Sequence, residues 1–330
     1  MKINRRDFFK LGATAAVGAV AVPALLFGDK KPKNSSVSGT SSSRAKSRDS
    51  AVEIPIRPLG KTGVMATLFG LGGQATLEDD GMRDDAVKII NRAYELGVNY
   101  FDTATAYGPS QGFYGEAMKG WRDKVFLATK TWERSRDGSL RLLDDSLAKL
   151  KTDHLDLWQL HNLRNMEELD VIFGKGGALE AMLKARDEKI VRFLGITGHY
   201  DPVVLKEAAH RFDFDTVLVA LNAADRHHKS FIEEFLPTAQ AKNMGIIGMK
   251  VPARGRIFRK DGVRTMKEAC YYTWSLPIST AIVGCSTIAE LEENVRLAKE
   301  FKPLAAEEMK KLEKLTEHYA EEVTFFKNWG

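Results

Sequence analysis

Eight short apolar runs, separated by longer amphipathic stretches, predict an α/β fold: a closed (β/α)8 TIM barrel. The runs are TLFGLGG (67–73), NYFDTA (99–104), KVFLATK (124–130), LDLWQLHN (155–162), VRFLGITG (191–198), DTVLVALNA (215–223), GIIGMKV (245–251) and TAIVGCS (280–286). Each is nearly continuous in apolar character, which suits a strand covered on both faces in a parallel sheet. Stretches such as DDAVKIINRAYELG (84–97), SLRLLDDSLAKLK (139–151) and DPVVLKEAAHRF (201–212) carry the helical period between them. A doubly wound sheet would place G-x-G-x-x-G after its first strand. FGLGG does not match that pattern, and its glycines read as tight packing.

Taken in order, IPIRPLGKTG followed by VMATLFG reads as an N-terminal β-hairpin closing the barrel bottom. Asp201 before Pro202 marks a helix start, because a capping carboxylate precedes a residue with no N–H to satisfy. AAEEMKKLEKLTEHYAEE lies beyond the eighth unit and is expected as an extra C-terminal helix packed outside. The terminal VTFFKNWG leaves Phe325, Phe326 and Trp329 to cover the barrel mouth, a partner or the outer helices. Cys270 and Cys285 are the two cysteines, with no C-x-x-C, and read as buried small apolar side chains.

Ahead of the barrel domain (53–330), the chain has two different characters. Residues 1–28 have a basic start, an apolar middle and small residues near the end, the pattern of a removable signal. Arg5 and Arg6, followed by Asp7, Phe8, Phe9 and Lys10, resemble the twin-arginine consensus. That resemblance implies the Tat export machinery as a partner and a periplasmic location, with the membrane touched only through an uncleaved signal. Because this route carries folded proteins, a cofactor is expected to be loaded before export. Residues 29–52 are a Ser/Lys-rich linker with almost nothing to bury. Residues 1–50 hold ten Lys/Arg and three Asp/Glu, leaving 39 and 41 for residues 51–330, a net of −2. The overall net of +5 therefore comes from the leader and linker and gives no ground for a nucleic-acid partner.

In such a barrel the chemistry lies at the C-terminal ends of the strands. There YFDTATAYG supplies Asp102 and Tyr107, ATKTW supplies Lys130 and Trp132, and WQLHN supplies His161. Asp102, Lys130 and His161 each end an apolar run where a core residue would otherwise stand. A lysine beneath a barrel mouth is costly without a carboxylate, and Asp102 is its evident partner.

This constellation is similar to the aldo/keto reductase superfamily, over residues 54–302. FDTATAYG matches the Asp and Tyr of that family's catalytic tetrad, ATK its Lys and QLHN its His, so the resemblance implies Asp102, Tyr107, Lys130 and His161. It implies a small carbonyl or alcohol substrate and a nicotinamide cofactor, NADP or NAD. Tyr107 would protonate the developing alkoxide, Lys130 would make its phenol a readier donor, and His161 would hold the carbonyl oxygen. Trp132 and His199 are expected at the substrate. Thr197, Met249, Lys250, Arg254, Gly255, Ser286, Thr287, Glu293 and Asn294 fall where the family meets its cofactor. Ser286 and Thr287 are expected to offer phosphate donors at a helix start. The chain departs from the pattern at Gly198, Leu218 and Glu290, and a carboxylate at 290 would repel a 2′-phosphate.

Two other functions follow from different readings. A nicotinamide-binding sensor of the same fold would have no need to keep Tyr107 and Lys130 together. A metal-dependent hydrolase or isomerase would use Asp225, His227 and His228 of ADRHH, with a further ligand from another loop.

Overall fold

The computed structural model describes residues 53–328; the expected signal (1–28), the expected linker (29–52), Trp329 and Gly330 lie outside the described residues. Strands β1 (Ile56–Pro58) and β2 (Met65–Thr67) pair antiparallel as the expected hairpin. Each of the eight apolar runs then supplies one barrel strand. These are β3 (Phe69–Gly72), β4 (Tyr100–Asp102), β5 (Phe126–Thr131), β6 (Leu155–Leu160), β7 (Val191–Gly198), β8 (Thr216–Ala220), β9 (Gly245–Met249) and β10 (Thr280–Val283), with β5 running one residue past its run. Neighbours pair in parallel, and β10 returns to β3 with Ala281 opposite Phe69, closing the barrel.

The continuous apolar look of the runs conceals a period of two. Tyr100, Phe126, Ala128, Leu157, Leu218, Ile247, Met249 and Ile282 form one buried cluster inside the barrel. Phe101, Leu127, Trp158, Val217, Ile246 and Val283 belong to the second, larger cluster between barrel and helices. Both faces are apolar because both are covered, so the alternation is invisible in hydropathy. Its consequence is functional: the inward series Tyr100–Asp102 and Phe126–Ala128–Lys130 each end on a charged residue at the mouth.

The hairpin plugs the other end. Leu59 and Ala66 join the inner cluster, and the Lys61 N–H bonds the Asn243 carbonyl at 2.8 Å, just ahead of β9. Gly60 turns here at φ 53°, and a Cβ would lie 2.2 Å from the Gly245 nitrogen, so the close approach requires glycine. The helix start predicted at Asp201 is found there. The Asp201 carboxylate accepts the Val203 N–H at 2.9 Å ahead of Pro202–Arg211, and Thr265 and Glu268 form a capping box on Met266–Ser275. The extra helix, Ala306–Thr316, packs outside, its Glu313 accepting the Tyr272 hydroxyl at 2.8 Å. Cys270 and Cys285 are free and buried. Among the described residues no helix is long and apolar enough to cross a membrane.

Candidate active site

Asp102 ends β4 and Lys130 stands near the end of β5, both side chains fully buried and ion-paired. Lys130 Nζ also donates to the Thr103 carbonyl at 2.9 Å. The other Asp102 oxygen accepts from Gln159 Nε2 at 3.2 Å. Gln159 lies opposite Lys130 in the β5–β6 ladder, and the sequence reading missed it. Its signal was a polar residue inside an apolar run, two positions before His161.

Tyr107 follows β4 in a turn, its N–H on the Ala104 carbonyl and its own carbonyl taking the Ser110 N–H. Gly108 next to it has φ 46°, and a Cβ there would sit 2.9 Å from the Glu78 carbonyl, so the turn needs glycine to pass that loop. The turn brings the phenol ring to 5.0 Å from Lys130 Nζ and edge-on to His161, with ring centroids 5.9 Å apart. The four tetrad residues expected from the sequence are thus brought together at the barrel mouth.

The electrostatics add burial to the expected effect of Lys130. Burial raises the Tyr107 phenol above its ordinary value, and this outweighs the nearby Lys130 charge, which pulls it down. Lys130 acts in the expected direction, but the net shift is upward. For Lys130 itself, burial opposes the ammonium, while Asp102 and then Tyr107 outweigh burial and hold its pKa above the usual lysine value. His161 is held well below the ordinary histidine range by burial, then by the charges of Lys130, Arg134, Lys250 and Arg164. It is a neutral imidazole at neutral pH.

Around this centre the other predicted residues divide. Trp132 is 54% exposed at the rim. His199 is buried, its Nδ1 2.9 Å from the Asn162 Oδ1, and the Phe326 ring stands 6.1 Å away. Thr197 Oγ1 accepts the Asn162 N–H at 2.7 Å, which holds the segment after His161. Lys250 Nζ reaches Gln74 Oε1 at 3.3 Å, and burial, followed by the Arg254 charge, lowers its pKa to about 8. Lys250, Arg254 and Gly255 all have positive φ, so this loop turns sharply after β9. Met249 is buried and belongs to the inner cluster.

The helix Ile288–Lys299 departs from expectation. The Ser286 N–H is taken by the Glu290 carboxylate at 2.7 Å, and the Ser286 carbonyl by Thr76. Thr287 Oγ1 caps the Glu290 N–H at 3.1 Å. One of the donors expected there, the Ser286 N–H, is thus engaged by Glu290, which acts as the helix's own anion, while the Thr287 hydroxyl oxygen serves as an acceptor. Glu293 is exposed and paired with Arg296, while Asn294 is buried, its Nδ2 3.5 Å from Cys285 Sγ.

The metal reading of ADRHH is overturned by packing. Asp225 is buried and accepts from Lys327 Nζ at 2.7 Å, Ser230 Oγ at 3.0 Å and the Ile232 N–H at 2.9 Å. His227 Nε2 is 2.9 Å from the Glu313 carbonyl. Among the described residues no group of three or more His, Cys, Asp or Glu stands ready for an ion. Lys327 also donates to the Lys229 carbonyl at 2.9 Å, so the loop latches the C-terminal segment. The latch seats Phe326, fully buried, beside His199, while Phe325 lies under Arg256 with the guanidinium 4.0 Å from the ring centroid. Both phenylalanines pack with the cluster between barrel and helices, Phe326 also standing beside His199.

The sequence matches the aldo/keto reductase family over residues 68–269, and the chain belongs to that family. It is 26% identical to L-galactose dehydrogenase of Arabidopsis thaliana over 297 residues, spanning 78% of this chain and 92% of the relative. The holo form of aldo-keto reductase AKR11C1 from Bacillus halodurans superimposes with a TM-score of 0.68 at 25% identity, covering 80% of this chain and 96% of that one. An aldo-keto reductase from Klebsiella pneumoniae, solved in complex with NADPH, shares the fold with a TM-score of 0.66 at 21% identity, over 79% and 95% of the two chains. The chain is an oxidoreductase.

Proposed function

We propose that this enzyme interconverts an aldehyde or ketone and its alcohol with a nicotinamide cofactor, using Tyr107 as general acid and base. The observation that carries this reading is the buried Lys130, paired with Asp102 and set 5.0 Å from the Tyr107 ring. A fully buried ion pair is retained at a cost in desolvation, and a cation held against a phenol stabilises the phenolate left after proton transfer. His161, neutral by its surroundings, donates an N–H to the carbonyl oxygen without giving up a full proton. Tyr107 then delivers its proton as negative charge develops there. Burial that raises the phenol pKa keeps Tyr107 protonated until that moment, and Lys130 limits the cost of losing the proton.

The residues present fit a dinucleotide. Lys250 and Arg254 supply cations beside the mouth on a sharply turned loop, which suits a diphosphate. When bound, the nicotinamide supplies the hydride, which no side chain carries. Glu290, seated on the Ser286 N–H, supports NAD over NADP, since a second anion there would meet a carboxylate. The exposed Trp132 beside the tetrad suits the face of a polyhydroxylated ring, and the L-galactose dehydrogenase relative adds weight to a sugar or sugar-like alcohol.

The test is Tyr107→Phe. Turnover with NADH and NADPH over a panel of aldehydes and sugars should fall by about 100-fold or more. Cofactor binding, followed by nicotinamide fluorescence, should persist. An unchanged rate would remove Tyr107 from the chemistry.

A further inference from the structure

Gln159 lies outside the tetrad yet touches its anion. It belongs to the inward series of β6, two positions after Leu157 of the inner cluster, and is fully buried. In the ladders it stands opposite Lys130 on β5 and Gly195 on β7. A Cβ at Gly195 would lie 3.1 Å from Gln159 Cγ and 2.4 Å from Thr216 Oγ1, so the glutamine fills width that the glycine leaves. A long polar side chain is thereby confined inside the barrel, with its amide on Asp102.

The Asp102 carboxylate takes Lys130 Nζ on one oxygen and Gln159 Nε2, at 3.2 Å, on the other. Among the described residues no other side-chain donor bonds it. An ionised carboxylate has two equivalent oxygens, so a single partner leaves its plane free to turn. A donor on the second oxygen fixes that plane, and the ammonium is fixed with it. Of the protons on the ammonium, one goes to Asp102 and one to the Thr103 carbonyl at 2.9 Å. The remaining one is left for the phenol of Tyr107, whose ring is 5.0 Å from Nζ. The amide of Gln159 also stabilises the Asp102 charge, and that charge otherwise opposes formation of the phenolate.

We propose that Gln159 is a positioning residue for the proton transfer: its amide holds the Asp102 carboxylate so that Lys130 keeps one N–H directed at Tyr107. This rests on the reading of Tyr107 as general acid and base. A packing role would be filled by any side chain of equal volume, whereas this one depends on the amide N–H.

The experiment uses the full chain and an aldehyde that the wild type reduces, 4-nitrobenzaldehyde first, with NADH or NADPH. Gln159→Met keeps the volume and removes the donor. Its kcat should fall about tenfold while KM stays within about twofold, because the lost bond is to a charged group and acts on the chemical step. The basic limb of the pH profile for reduction, where Tyr107 loses its proton, should move up by about half a unit, since the less shielded Asp102 resists the phenolate. Gln159→Glu keeps the shape and donates only while its own carboxyl is protonated, so its kcat should approach the wild-type value as the pH falls. Near-ultraviolet circular dichroism checks that each variant is folded, and should Gln159→Met not fold, Gln159→Glu decides alone. A Gln159→Met enzyme with wild-type kcat and pH profile overturns the proposal, as does an equal loss in both variants at every pH. An inactive Tyr107→Phe beside an unaffected Gln159→Met sinks this proposal alone. A fully active Tyr107→Phe, or a wild type that reduces no aldehyde, sinks the reading of the chemistry and the proposal with it.

Discussion

Lys130 is the residue on which the site turns, and its environment makes a sharp prediction. Replacing it with Met strands the Asp102 carboxylate in the barrel interior, which should cost about 3–5 kcal/mol of stability. Adding Asp102→Asn should recover much of that loss, since no unpaired charge remains. Urea unfolding of the two single variants and the double variant measures this, and simple additivity would show that the pair is not coupled. Asp102, Lys130 and His161 were legible in the sequence because each breaks an apolar run at the strand end that faces the chemistry. Gln159 was not. It sits inside its run, and only the β5–β6 register turns it toward Asp102. The effect of Lys130 on Tyr107 was also legible, since it does favour the phenolate; the larger opposing effect of burial was not, because it is set by the packed mouth.

At the scale of elements, the helix Ile288–Lys299 shows one terminus serving two possible masters. Its first turn carries Glu290, whose carboxylate closes back on the Ser286 N–H. Glu290→Gln removes the negative charge and loosens that contact. The ratio of NADPH to NADH efficiency should then rise by about tenfold, since a like-charge pair near a helix start is worth about 1–2 kcal/mol. Steady-state kcat/KM with both cofactors decides it, and an unchanged ratio would detach Glu290 from cofactor choice. The position of the carboxylate was visible in the sequence; its occupation of the backbone donor was not. The Asp225 loop makes the same point. ADRHH offers metal-ligand residue types, but Lys327, about a hundred positions later, comes back to fill the carboxylate. No local spacing could announce that contact.

For the molecule as a whole, pH reports on Lys250. Its folded pKa is lowered by burial to about 8, against 10.5 for the free side chain. Between these values the unfolded chain holds a proton that the folded chain has released, so Lys250 contributes stability that rises with pH across that window. Cys285 opposes it: burial raises its thiol to about 12 from 9.0, so the unfolded chain loses a proton first and stability falls with pH. The difference between the wild type and Lys250→Met isolates the rising part. Urea midpoints from pH 7.5 to 10.5 should converge as pH rises if Lys250→Met is the more stable at the low end. Parallel curves would mean that Lys250 titrates normally. The leader, outside the described residues, makes a separate prediction: with Arg5→Lys and Arg6→Lys the protein should remain in the cytoplasm, as fractionation would show, and unaltered export would refute the twin-arginine reading. By itself the sequence determined the barrel, the hairpin, the outer helix and three of the four mouth residues as strand-end residues, because strands, caps and charged strand ends follow from local pattern and the cost of burying charge. The tertiary structure alone decided which side chains point inward, that Tyr107 reaches Lys130, that Glu290 and Lys327 close onto backbone and carboxylate partners, and that burial outweighs charge at the phenol. Each of these depends on the distance between residues remote in the chain, which only barrel closure sets.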